Sequence, residues 1–240
     1  MDRIRVVDFE TDGTEPPARV IEVGWCDVGH PVAGGTVIHD PVSRLCGGGK
    51  ITAETRAVHH ISPKDIDGRE PFFAAPFVHE AREDRVTALA AHHADFEGKW
   101  LGPVLGEMPL ICTYKAALRV WPEAPEHKNQ VLRYWLVEQG LTAPDDALCQ
   151  PAHRAGPDAY ATAWLLKALL ERATVADMIA WTAEPAVTPR CPIGKWRGRR
   201  WSEVDAGFLG WMLRQADMDA GLKFNARREL ARRGSDGPIT

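Results

Sequence analysis

β-Branched and apolar residues gather in two short runs near the start of the chain, at 4–8 (Ile-Arg-Val-Val-Asp) and 20–25 (Val-Ile-Glu-Val-Gly-Trp). Between them lies a turn-forming stretch, Asp12-Gly13-Thr14-Glu15-Pro16-Pro17, so the pattern predicts a hairpin that opens a sheet. Further extended segments follow at Thr36–His39, before a turn around Asp40-Pro41, at Val86–Ala90, and at the short apolar run Leu110-Ile111-Cys112. Apolar residues at i, i+3 and i+4 predict helices at Thr52–Val58, Phe96–Leu101, Lys115–Val120 and Gln130–Gln139. The strongest helical stripe runs from Asp158 to Glu171, where Ala161, Leu165, Leu166, Leu169 and Leu170 share a face. Strands first and helices after imply an α/β sandwich around a mixed sheet.

The period is lost over residues 181–192, where three prolines interrupt the chain as in a linker. That stretch divides a main domain, 1–180, from a small C-terminal domain, 193–240, with helical patterns at Asp205–Gln215 and Leu222–Arg233. There is no internal repeat.

Composition narrows the class. A content of 45% hydrophobic and 26% charged residues in 240 fits a globular chain able to bury a core. No run nears the 18 apolar residues of a membrane span, and Met1-Asp2-Arg3-Ile4-Arg5 leads straight into a strand without a hydrophobic leader, so a cytoplasmic location without membrane contact is expected. Five scattered cysteines with no Cys-x-x-Cys pair argue against a disulfide framework or a zinc site. The net charge of −4 argues mildly against a nucleic-acid partner, but it hides an asymmetry. From residue 186 onward 11 Lys and Arg face 6 Asp and Glu, a local +5 that leaves −9 for residues 1–185.

Asp8-Phe9-Glu10 puts two carboxylates at i and i+2 near a strand end, so both project from one face of the sheet while Phe9 points into the core. Such a pair can chelate a cation, or it can be a polar strand end beside a turn. His153-Arg154-Ala155-Gly156-Pro157-Asp158 sets a histidine five residues before an acid at the start of the most apolar helix. Taken alone, Asp158 reads equally as a helix N-cap and His153 as a solvated loop residue.

Together these segments resemble the DEDDh, or DnaQ-like, 3′–5′ exonuclease family. Its first motif, Asp-x-Glu followed by Thr and Gly, is matched by Asp8-Phe9-Glu10-Thr11-Asp12-Gly13, and its third, His-x-Ala-x-x-Asp-Ala, by His153 to Ala159. The second, His-Asn-Ala-x-Phe-Asp, is matched by His92-His93-Ala94-Asp95-Phe96-Glu97 with two departures, His93 for Asn and Glu97 for Asp. Asp95 is the rival to Glu97; on a starting helix the two lie about 200° apart, so only one can face a site. Residues 52–62, ending His59-His60-Ile61-Ser62, resemble the family segment that lines the terminal-nucleotide pocket, and Gly194–Gly198 followed by Phe208–Leu213 resembles the C-terminal domain of the exodeoxyribonuclease X type.

The resemblance implies a ribonuclease H-like fold and hydrolysis of terminal phosphodiesters to nucleoside 5′-monophosphates, with DNA 3′ ends favoured over RNA. It assigns Asp8, Glu10, Asp158 and Glu97 to two Mg²⁺ or Mn²⁺ ions, His153 to proton abstraction from water, and Phe9, Thr11 and His59 to substrate contact. It gives the basic C-terminal domain to nucleic acid. Two alternatives stay open: an exoribonuclease on short or single-stranded ends, and a catalytically silent nucleic-acid-binding module arising from the altered second motif. Oligomeric state is not legible.

Overall fold

A computed structural model describes residues 3–29 and 35–235. Met1 and Asp2 of the N-terminal reading and residues 236–240 of the basic C-terminal segment lie outside the described residues. The expected hairpin is formed by β1 (Arg3–Thr11) and β2 (Val20–Gly29), antiparallel with Val6 opposite Cys26 and Glu10 opposite Glu22. β3 (Val37–Ile38) and β4 (Val42–Leu45) both pair antiparallel with the outer edge of β2. On the other side β5 (Val86–Ala91) pairs parallel with β1, and β6 (Leu110–Cys112) parallel with β5, giving a curled mixed sheet ordered β3-β2-β1-β5-β6.

The helices are α1 (Ala53–His59), α2 (Pro63–Ile66), α3 (Ala74–Glu83), α4 (Ala94–Leu101), α5 (Thr113–Val120), α6 (Asn129–Glu138), α7 (Ala155–Leu170), α8 (Val175–Ala183), α9 (Ala206–Arg214) and α10 (Ala220–Ser235). Four elements go beyond the sequence expectations: β4, α2, α3 and α8. β4 is almost wholly exposed and shows no apolar alternation. α3 carries Pro76 in its first turn, where the missing N–H is an orphan anyway, and buries Phe77, Val78 and Ala81. α8 starts at a capping box between Thr174 and Asp177 and runs to Ala183, so the first three residues of the 181–192 stretch are helical.

Side chains alternate across β1 and divide the core in two. Ile4 and Val6 face the cluster built by α5, α6 and the Ala- and Leu-rich α7, whereas Val7 and Phe9 face the cluster under α3 and α4. α7 is buried on nearly every side and crosses the hairpin at very short range. A Cβ on Gly24 would lie 2.0 Å from the Ala155 carbonyl carbon, and one on Gly156 would lie 2.3 Å from Ser43 Oγ. Only glycine lets the helix backbone approach the sheet this closely.

Beyond α8, Cys191, Trp201, Val204, Leu209, Met212 and Ala226 form a small core of their own. Asp205 caps α9 by accepting from the Phe208 N–H at 2.7 Å. Among the described residues no helix is long and apolar enough to cross a membrane.

Candidate active site

Continuing the alternation of β1 past Val6 brings Asp8 and Glu10 onto the α7 face of the sheet, where the first turns of α7 meet the hairpin. The pairing with β2 shifts register between Glu10 and Thr11, a bulge at the end of this ligand-bearing stretch. α7 begins at Ala155, three residues earlier than the sequence pattern implies, because Pro157 is tolerated in a first turn. Asp158 is therefore not the N-cap but lies inside the helix, turned toward β1 and 8% exposed. Carboxylate oxygens of Asp8, Glu10 and Asp158 all come within 4.8 Å of one another.

Glu97 approaches the same cluster from α4. It is 4% exposed, and its Oε2 is buried without a hydrogen-bond partner. Asp95, two residues earlier, turns outward, with its side chain 76% exposed and 3.0 Å from Lys115 Nζ. Both residues line the cleft over the cluster, but only Glu97 faces the other carboxylates.

Crowding of these acids holds protons on them. Burial and then repulsion from Glu10, Asp158, Glu97 and Glu22 raise Asp8 well above the usual carboxylate range. Burial followed by the charges of Asp158 and Glu22 pushes Glu10 up to about 8, and burial followed chiefly by Glu10 among its acidic neighbours pushes Glu97 up to about 8. Asp158 is raised by burial, opposed by hydrogen bonds from Gln130 and from the His153 backbone. A buried carboxylate set of this kind, with one oxygen left unpartnered, fits a cation: bound positive charge relieves the repulsion and supplies the missing partner.

Two donors fix Asp158. The His153 N–H reaches Oδ2 at 2.7 Å and Gln130 Nε2 reaches Oδ1 at 2.7 Å. His153 itself is exposed at the rim of the cleft, with a left-handed backbone at φ 59°. Such a conformation is costly for a residue with a Cβ and persists only where its surroundings impose it. Next to it lies an ion pair that sequence reasoning missed. Arg154 donates to both carboxylate oxygens of the fully buried Glu22, at 2.7 and 2.9 Å, and the Ala155 N–H adds a third bond at 3.0 Å. The hairpin register sets Glu22 opposite Glu10, so the ion pair is anchored beside the carboxylate cluster.

His92 is buried and its imidazole is pushed down to about 3, chiefly by burial, so it is neutral. It bonds the His127 carbonyl at 2.7 Å and the Thr113 hydroxyl at 3.0 Å, tying the start of the second motif to α5 and to the loop before α6. His93 packs on Tyr114 with ring centroids 4.3 Å apart. The three residues assigned to substrate contact fall in different settings. Phe9 is 4% exposed with its ring against Phe72 and Phe77, so its side chain offers no surface to a ligand. Thr11 donates its hydroxyl to the Gly13 carbonyl at 2.6 Å. His59 is buried, accepts from the Ile61 N–H through Nδ1, and leaves Nε2 without a partner.

The curled mixed sheet flanked by helices, with carboxylates from β1, α4 and α7 converging at its edge, defines a class. This is the fold of the DnaQ-like DEDD exonucleases, and the solved structures that resemble the chain are exonucleases. Exonuclease X in complex with 5′ overhanging duplex DNA is similar at 25% identity and TM-score 0.55, over 75% of this chain and 99% of that one. An E. coli ExoI–ssDNA complex shares the fold at 13% identity and TM-score 0.52, with the match spanning 75% of this chain but 42% of that one. A 3′-exonuclease solved in recognition of a histone mRNA stem-loop shares it at 13% identity and TM-score 0.55, over 71% of this chain and 64% of that one. No family model matches the sequence, and no curated protein is a significant match.

Proposed function

We propose that the chain is a 3′–5′ exodeoxyribonuclease that removes nucleoside 5′-monophosphates one at a time. The observation that carries this reading is the convergence of Asp8, Glu10 and Asp158 within 4.8 Å, with Glu97 buried beside them. Asp8, Glu10 and Asp158 would hold a first divalent cation, and Asp8 with Glu97 a second; a set of oxygen donors alone suits Mg²⁺ or Mn²⁺ better than zinc. Bound there, such ions would supply a hydroxide near neutral pH and stabilise the departing 3′ oxygen.

The chain's own residues do the rest. His153, exposed on a loop that Arg154 and Glu22 hold in place, takes the proton from the attacking water. Its backbone N–H and Gln130 keep Asp158 aimed at the cluster. The cleft above, about 760 Å³ and lined by Asp8, His93, Phe96, Glu97, Lys128 and His153 among others, is in the size range of small-ligand clefts, as for a terminal nucleotide. The resemblance also gives Thr11 and His59 to substrate contact, although neither lines this cleft and His59 is buried as the structure stands.

DNA is favoured by the similarity to Exonuclease X over nearly all of that chain and by the basic residues after position 186. The equal TM-score of the histone mRNA 3′-exonuclease favours a second reading, an RNA 3′-end nuclease with the same chemistry. Incubating DNA and RNA oligomers, labelled at either end, with Mg²⁺, Mn²⁺ or EDTA separates these readings. A 3′ label released at once as mononucleotide, together with a 5′-labelled ladder shortening stepwise, is expected with metal and not with EDTA. RNA degraded in preference to DNA would reverse the substrate assignment, and no release from either would leave a silent binding module.

A further inference from the structure

A second cleft, larger than the first at about 1120 Å³, opens where the C-terminal end of α5 faces residues 187–190, Trp201 and α10. Its walls bring together Arg119, Arg190, Arg200, Arg228 and Arg232 from three separate stretches of a chain whose net charge is −4. Few acids answer them. Glu229 is nearly buried and committed to Arg232 and Arg233 at 2.8–3.0 Å, and Arg119 pairs with Glu184. Glu123 is the remaining carboxylate on the wall. Among the described residues, Arg190 and Arg228 have no carboxylate partner, and Arg200 meets the Glu203 carboxylate through its backbone N–H. Arg119, pressed below its ordinary value first by burial, is pressed further by repulsion from Arg228. Cations gathered on the walls of one cleft with few acids to answer them favour a polyanion between them.

Position connects this cleft to the first. α5 begins at Thr113, whose hydroxyl bonds His92 on the wall of the carboxylate cleft, and its other end supplies Leu118 and Arg119 to the arginine cleft. Eight residues of helix cover about 12 Å, roughly the rise of three or four phosphates along one strand of a duplex. The match to Exonuclease X leaves a quarter of this chain uncovered while using 99% of that one.

We infer that the arginine cleft between α5 and α10 is a backbone-binding subsite that holds nucleic-acid phosphates some four or more nucleotides from the 3′ end being cut. The inference rests on the exonuclease reading for which strand reaches the cleft. Arg190 and Arg228 are its most available cations, both exposed and without a carboxylate partner among the described residues.

The test is a double variant, R190Q/R228Q, assayed two ways. Binding of a 5′-labelled 20-nucleotide strand is measured in EDTA across a salt series; losing two phosphate contacts lowers the slope of log Kd against log salt by about 1.4 and weakens binding about tenfold or more at 0.1 M salt. Hydrolysis of a dinucleotide with Mg²⁺, too short to reach the cleft, continues at the wild-type rate, while KM for the 20-mer rises and its kcat holds. Arg200→Gln, with a melting temperature matched to wild type, repeats the binding effect at about half the slope change. An unchanged slope and Kd in both variants would overturn the inference. A wild-type protein that binds the 20-mer with the expected salt slope but hydrolyses neither substrate would instead sink the exonuclease reading.

Discussion

Replacing Glu97 by Gln removes one charge from the carboxylate cluster while nearly preserving shape, and its effect on stability follows from the site's electrostatics. Glu97 has a folded value of about 8 against an ordinary 4.5. A group raised in the folded state contributes its stabilisation fully below pH 4.5 and loses it as pH climbs through 8. The gap between 4.5 and about 8 corresponds to about 5 kcal/mol at full ionisation. Glu10 faces the same charge, so removing one partner releases part of the total, and half of it moves Tm by about 5–10 °C in a chain of this size. In EDTA, wild type should therefore lose thermal stability steadily between pH 5 and pH 9, while Glu97→Gln loses 5–10 °C less and the two melt together at pH 5. Mg²⁺ at pH 8 should raise the wild-type Tm more than that of the variant. Parallel melting curves for the two proteins from pH 5 to pH 9 would refute the electrostatic account.

The remaining expectations concern neighbours of that residue. Glu97→Ala should cost at least about a hundredfold in mononucleotide release, the scale on which a single positioned catalytic group acts, whereas Asp95→Asn, which loses only an exposed pair with Lys115, stays within a few-fold of wild type; the reverse result would make Asp95 the fourth carboxylate. His153→Ala should lower kcat by about 10²–10⁴ with the Mg²⁺-induced rise in Tm retained, read by single-turnover kinetics and thermal melts side by side. Arg154→Ala strands the charge of the fully buried Glu22 and should cost about 3–5 kcal/mol in urea unfolding, clearly more than Glu22→Gln, which leaves the partly solvated Arg154 unpaired; equal costs would deny the clamp.

Much of the fold was legible because it is written in local periods. The β1–β2 hairpin, β5, β6 and the helices around the site follow directly from alternation and from i, i+3, i+4 spacing. What escaped was structure specified by partners. β4 forms because β2 has a free edge, and its own sequence has no alternating face. The start of α7 was misjudged because Asp158 read as a cap, when Pro157 sits in the first turn and Asp158 is an interior residue held by the His153 N–H and by Gln130. The carboxylates of the first and third motifs could be named in advance only because together they match a family pattern; taken alone, each read equally as a polar strand end or a helix cap. Glu22, Arg154 and Gln130 could not, because each acts by a contact across more than 25 residues of chain.

The near-contact of α7 with the hairpin at Gly24 and Gly156 bears on how this site can diverge. β1 and α7 have no slack between them, so Asp8, Glu10 and Asp158 move as a single rigid unit, further locked by the Glu22–Arg154 pair. No side chain longer than a hydrogen fits at position 24 without prising the third motif off the first. Glu97 arrives instead from α4, across the other layer of the core, where a Cβ even at the adjacent Gly98 would make only an ordinary contact at 3.7 Å. Room to vary therefore lies on one arm of the constellation, and that arm is where this chain carries an extra methylene.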